Sequence, residues 1–169
     1  MTASASGAGV AAARPEITER VALELIHHEA IVLETYRDSK RIWTWGIGVT
    51  NASGHQVHPR YLDKPATLEH VLAIYVWLLR TKYAPPVYRA FAGHELSEAR
   101  FAAALSFEYN TGSIGTADWV KSWKAGQVAT ARAEIMNWRR PPEIVGRRTA
   151  ERDLFFSGKW CGDGFARAI

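Results

Sequence analysis

At 169 residues the chain has room for one compact domain and excludes two of ordinary size. Hydrophobic residues at 47% and charged residues at 22% give the balance of a soluble globular protein, and the single cysteine, Cys161, excludes an internal disulfide. The net charge of +4 favours an anionic partner, yet no block of Lys and Arg interleaved with aromatics marks a nucleic-acid binder.

Met1 to Ala13 is uncharged and rich in Ala, Ser and Gly. The run is shorter than the roughly 20 apolar residues of a bilayer-spanning helix, and it lacks the basic start of a secretory signal. Residues 1–14 are therefore expected to be a disordered lead-in, residues 15–169 a single domain, and no stable membrane insertion is expected. Thr18 is placed to cap a helix carrying Val21, Leu25 and Ile26 and running to about Glu29 or Ala30. Tyr36 to Arg41 reads as a polar turn.

From Ile42 to Thr50 the period changes to two. Trp43, Trp45, Ile47 and Val49 fall on one face of a predicted strand, and Thr44, Gly46 and Gly48 fall on the other. Glycine weakens a strand, so the Thr44 face is expected to lie low and open for another group to approach. Asn51 to Gly54 reads as a turn and His55 to His58 as a further strand.

Helical periodicity then takes over. Thr67 can cap a helix with Leu68, Val71, Leu72, Tyr75, Leu78 and Leu79 on one stripe, interrupted at Tyr83-Ala84-Pro85-Pro86. Ser97 can cap an Ala-rich helix through Phe101, Leu105 and Phe107 that fails at Asn110-Thr111-Gly112. Residues 116–125 and 127–138 read as two more helices split by Gly126; Pro141-Pro142 breaks the pattern, and residues 146–157 form a last helix ended by Gly158. Helix, small sheet, then helices alone is a mostly helical α+β arrangement with its strands segregated near the start.

Two acids and a hydroxyl stand out: Glu29 at the end of the first helix, Asp38 in the turn and Thr44 on the glycine face. Glycosidic cleavage needs a carboxylic acid for the leaving oxygen and a second carboxylate across the sugar ring. A helix end followed by a hairpin can put two such groups on opposite walls of a cleft. On spacing alone, a surface acid or an ion pair is the commoner meaning of such residues.

The surrounding residues decide it. Glu29, eight residues, Asp38, five residues, Thr44 and then Gly46-Ile47-Gly48 resembles the active-site segment of phage-type lysozymes, glycoside hydrolase family 24. Phe101 to Gly112 resembles that family's central helix and the loop after it, and Gly146 to Arg152 the arginine-rich start of its last helix, so the likeness spans roughly residues 17–160. The resemblance implies a lysozyme-like fold, with a small N-terminal β-hairpin lobe and a helical C-terminal lobe flanking a cleft. It implies a muramidase that hydrolyses the β-1,4 bond between N-acetylmuramic acid and N-acetylglucosamine in bacterial peptidoglycan, needing no cofactor and no metal. Glu29 would be the general acid and Asp38 the carboxylate activating water, with Thr44 helping to hold that water. Inversion is the family's usual outcome, with carboxyls roughly 6.5–9.5 Å apart. Arg147 matches an arginine beside the catalytic glutamate, where its charge would oppose the desolvation that keeps the acid protonated. Glu108 corresponds to a polar cleft position that would contact sugar.

The chain also departs from the family. A His commonly follows Gly-x-Gly and pairs with an acid on the next long helix; here that position is Val49, and residues 74–82 hold no acid. Replacing a whole buried pair by apolar groups can be nearly neutral, so Val49 is expected to pack against the helix containing Leu78. Trp43 and Trp45 beside Thr44 are bulkier than usual, so the strand is expected to be supported differently. His27-His28-Glu29 lacks the second His of an HExxH metal site; His27, His28, His55 and His58 read as surface residues, and Cys161 as an incidental thiol.

Two other functions fit less well: a lytic transglycosylase, which would dispense with Asp38 and Thr44, and a catalytically silent virion or wall-binding component. In the phage setting the enzyme is expected to be a monomer made in the host cytoplasm, reaching the periplasmic wall with help from a holin or travelling in the virion. The late cluster of basic residues, from Lys121 to Arg167, is expected to favour anionic wall polymers.

Overall fold

The computed structural model describes residues 14–161, and the expected lead-in lies almost wholly outside them. Helix α1 (Glu19–Ile26) begins where Thr18 accepts the Val21 N–H. It stops short of the expected end. His28 and Glu29 donate to the carbonyls of Leu25 and Ile26 at 3.1 and 3.0 Å, in the tighter i to i−3 pattern, so Glu29 stands just beyond the helix on a narrowed turn.

The sheet corrects the sequence reading. The expected polar turn is preceded by a strand, β1 (Val32–Arg37), in which only Thr35 is buried. With most of both faces in solvent, β1 has no apolar alternation to reveal it. The single strand expected over 42–50 is a tight hairpin, β2 (Trp43–Gly46) and β3 (Val49–Thr50), in a three-stranded antiparallel sheet of order β1-β2-β3. Gly46 and Gly48 have φ of +63° and +66°, which glycine alone adopts without strain and which reverse the chain about Ile47. The alternation had been counted through that reversal. Residues 55–58 form no strand; they lead into a loop in which His55 is buried.

Aromatic rings hold this lobe. Trp45 stacks on Tyr61 with ring centroids 4.0 Å apart and donates its indole N–H to the Leu33 carbonyl. The Tyr61 hydroxyl joins His55 Nε2 and His70 Nε2, each at 2.8 Å. Trp43 stacks on the His58 ring with centroids 4.1 Å apart, and the Arg37 guanidinium lies over its ring at 4.5 Å. His55 and His58 are thus packing residues rather than plain surface ones. Val49 is buried with Leu78 in the core, and a Cβ on Gly46 would touch both Val49 and Val71. The apolar exchange lies against α2 (Leu68–Leu78), capped by Thr67 as expected.

The prolines do not interrupt the next segment. The chain runs from α2 through a π-helical turn, Leu79–Tyr83, into α3 (Ala84–Ala90). Pro85 and Pro86 sit in the first turn of α3, where N–H groups have no intrahelical partner to lose. Helix α4 (Glu98–Thr111), capped by Ser97, is buried continuously from Phe101 to Glu108 and ends at left-handed Gly112. Its alanines let neighbours approach on every side, as a central helix requires. Helices α5 (Asp118–Lys124) and α6 (Val128–Glu134) follow, and α7 (Val145–Ser157) lies along α4 and ends at left-handed Gly158. Trp119 fills the space between them, edge-on to Phe107 at 5.4 Å and Phe155 at 5.0 Å.

Candidate active site

Three pieces of chain meet around Glu29: the turn after α1, the β2–β3 reversal, and the packed pair α4 and α7. Arg147, in the first turn of α7, donates from Nη1 to Glu29 Oε1 at 2.5 Å. The same guanidinium donates from Nε to Glu151 Oε1 at 3.1 Å and from Nη2 to the Ser106 carbonyl at 3.1 Å. Ser106 Oγ donates to Glu151 Oε1 at 2.7 Å. Arg148 pairs with Glu151 Oε2, and donates to Asn110 Oδ1 at 2.6 Å and the Trp138 carbonyl at 2.9 Å. Glu151 is 1% exposed, and burial pushes its carboxyl up while the two guanidinium groups and Ser106 draw it down. The result is a buried chain of alternating charge whose one end is the Glu29 carboxylate.

The two Glu29 oxygens are not equivalent. Oε1 is held by Arg147, whereas a Cβ on Gly48 would come within 3.1 Å of Oε2. Gly48 is therefore needed twice, for its φ and for the space the carboxylate occupies. Tyr109, whose hydroxyl donates to the Ile47 carbonyl, fixes the reversal from below and would meet the same Cβ at 3.8 Å. Tyr75 and Tyr109 are pushed well above the usual phenol range, first by burial and then by the Glu29 charge, so both stay neutral donors. His28 is pushed down to about 4 by burial, then by Arg147, and is uncharged at neutral pH.

Asp38 closes the β1–β2 turn. Its Oδ1 accepts the backbone N–H groups of Lys40 and Ile42, each at 2.8 Å, while its own N–H donates to the Ile42 carbonyl. Such an Asx turn fixes the carboxylate plane relative to the sheet. Tyr36 is the cross-strand partner of Thr44, and its phenol is raised by burial and by the charges of both Asp38 and Glu29. One ring thus lies within electrostatic reach of both acids. Thr44 is 5% exposed and donates its hydroxyl to the Ile42 carbonyl at 3.0 Å, which leaves its oxygen as an acceptor. The expected open face is therefore narrow: Thr44 keeps 5% exposure, Gly46 is buried and Gly48 is exposed.

Glu108 is 7% exposed, and its Oε2 accepts the Ile114 N–H at 2.9 Å, tying the loop after α4 back to the helix. The bond uses one of its two carboxylate oxygens and leaves Oε1 to other partners. Burial raises its carboxyl above the usual range, with Ile114 and then Arg89 opposing. Tyr109, Ser106 and Glu151 were not picked out as site residues from the sequence. The signal for Glu151 was present, because it stands four residues after Arg147 and three after Arg148, the spacing of helical ion pairs.

Residues 26–151 match the family profile described as phage lysozyme. No curated protein matches the chain significantly in sequence. Among solved structures, an endolysin from Escherichia coli O157:H7 phage FAHEc1 aligns with a TM-score of 0.76 at 19% identity, covering 88% of this chain and 98% of that one. The muramidase domain of SpmX from Asticaccaulis excentricus aligns with a TM-score of 0.68 at 20% identity, covering 85% and 99%. The active form of the P1 phage endolysin Lyz aligns with a TM-score of 0.67 at 18% identity, covering 85% and 86%. At these identities the alignments establish a shared lysozyme-like fold.

Proposed function

The chain belongs to the phage lysozyme family, and from that premise we propose that it is a muramidase that hydrolyses the β-1,4 bond between N-acetylmuramic acid and N-acetylglucosamine, with Glu29 as general acid and Asp38 as general base. The observation that carries this reading is a Glu29 carboxylate anchored at one oxygen by Arg147 beside Gly48, with Asp38, anchored at one oxygen by two backbone N–H groups, in the turn of the adjoining hairpin.

In this mechanism Glu29 gives a proton from Oε2 to the bridging oxygen, and the bond from that oxygen to the muramic acid C1 breaks. A water held between Asp38 and the Thr44 oxygen attacks C1 from the opposite face, and Asp38 takes its proton. Glu29 ends ionised and Asp38 protonated; exchange with solvent restores both. Configuration at C1 inverts. Arg147 stabilises the ionised product form of Glu29 and holds Oε1 still, so that the proton is delivered in one direction. Glu108 contributes through the loop it pins. No cofactor or metal enters the reaction.

Among the described residues no helix is long and apolar enough to cross a membrane. In a lysis role the enzyme would act as a monomer and depend on a holin, or on carriage in the virion, to reach the wall.

The test is mass spectrometry of muropeptides from purified sacculi. The mechanism requires new reducing muramic acid ends. Anhydro-muramic ends would make the protein a transglycosylase, and no products from a folded protein would make it a wall-binding or virion component.

A further inference from the structure

A second cluster of donors lies where α1 meets the segment after α7. Glu24 on α1 and His28 in the turn after it are four residues apart, the spacing that stacks two side chains on one helical face. Facing them is Cys161, carried back by the left-handed turn at Gly158 that ends α7. Its backbone N–H donates to both oxygens of Glu24, at 2.9 and 3.1 Å, so the chain is held at this point by direct bonds. One carboxylate oxygen, one imidazole nitrogen and the thiol sulfur lie within 4.8 Å of one another, the one such group of three among the described residues.

From this juxtaposition we propose that Glu24, His28 and Cys161 form a binding site for a single zinc ion, joining α1 to the segment after α7. The donor set selects the metal. A thiolate and an imidazole suit zinc and its softer neighbours, whereas magnesium and calcium take oxygen ligands almost alone. Zinc bonds of about 2.0–2.3 Å set tetrahedral edges of roughly 3.3–3.8 Å, so the three donors need to close by up to about 1.5 Å through side-chain rotation. Glu24 is 2% exposed, and a buried carboxylate is stabilised by a cation at its edge. On binding, the Cys161 thiol loses its proton to solvent and the sulfur becomes the third ligand. A fourth position stays with water. His28 precedes Glu29 in the chain, so the ion would brace the turn that carries the catalytic acid without touching substrate. This inference does not depend on the muramidase reading.

The experiment uses the full chain, reduced and freed of metal, titrated with cobalt(II) as a spectroscopic stand-in and with zinc in competition. The site requires one equivalent of cobalt, with a thiolate-to-cobalt charge-transfer band and the visible bands of a tetrahedral ion, bleached by one equivalent of zinc. Cys161→Ser should abolish the band, and His28→Gln should weaken binding at least about 100-fold, both with unchanged circular dichroism. Saturating zinc should raise the unfolding midpoint of the wild type by several degrees and leave that of Cys161→Ser unmoved. Failure to bind, binding without a thiolate band, zinc affinity unchanged in Cys161→Ser, or a band at half an equivalent unaffected by His28→Gln would each overturn the assignment. The last would mean two chains sharing an ion through their cysteines.

Discussion

At the scale of single residues, the site turns on how each carboxylate is held at one oxygen and left available at the other. Gly48 is the smallest residue involved and among the least replaceable. Gly48→Ala would place a methyl 3.1 Å from Glu29 Oε2 at a φ of +66°. It is expected to lower kcat on sacculi at least tenfold while destabilising the fold by only about 1–3 kcal/mol. Wild-type turnover in that variant would show that Oε2 is not the oxygen that acts. Glu108 offers a pH test. Burial raises its folded carboxyl above the ordinary value, so the folded state holds the proton more tightly than the unfolded chain. The associated penalty is present at neutral pH and is relieved as pH falls through the raised value. Wild type should therefore gain stability relative to Glu108→Gln as pH is lowered from 7 toward the ordinary carboxylate range. A stability difference independent of pH would contradict this.

At the scale of elements, capped helices were legible, whereas the small sheet was legible in its place but not in its strand boundaries. Thr18, Thr67 and Ser97 each accept an N–H from the third residue on, and each stands immediately before its helix. Such caps are local chemistry and can be read locally. The exposed strand β1 has no burial period, and the β2–β3 reversal depends on left-handed glycines that alternation alone does not show. The prolines of α3 misled for a related reason: a π-helical turn before them removed the need for a break. The aromatic assembly around Tyr61, which supports the hairpin through Trp45, could not be read because it is built from residues distant in sequence. Tyr61→Phe keeps the stack on Trp45 and removes the bridge between His55 and His70. It should cost about 1–3 kcal/mol in chemical denaturation, because His55 is left buried without that bond. No loss would mean that the stack alone supports the hairpin.

Across the whole molecule, the proposed active site is where the two halves of the chain are joined. Glu29 comes from the first turn after α1, and Arg147 from a helix 118 residues later. The three proposed catalytic positions, Glu29, Asp38 and Thr44, came from family likeness, because they lie within one short segment. The charge chain through Ser106, Glu151, Arg148 and Asn110 could not, since it exists only once α4 and α7 are packed. The net charge of +4 also acts at this scale. If it draws the enzyme to anionic wall polymers, activity should fall as salt rises from about 0.01 M to about 1 M and the screening length shrinks from about 30 Å to about 3 Å. Activity independent of salt would remove electrostatic attraction from the account.

The most direct measurement is the rate at which folded Glu29→Gln releases reducing ends from purified sacculi, with circular dichroism and unfolding midpoint matched to wild type. Glutamine keeps the shape of the side chain and a contact for Arg147 but has no proton to give. General acid catalysis by Glu29 requires the rate to fall by roughly 10²–10⁴-fold. A variant within a few-fold of wild type would contradict the assignment of Glu29 as the acid and, with it, the mechanism built on this site.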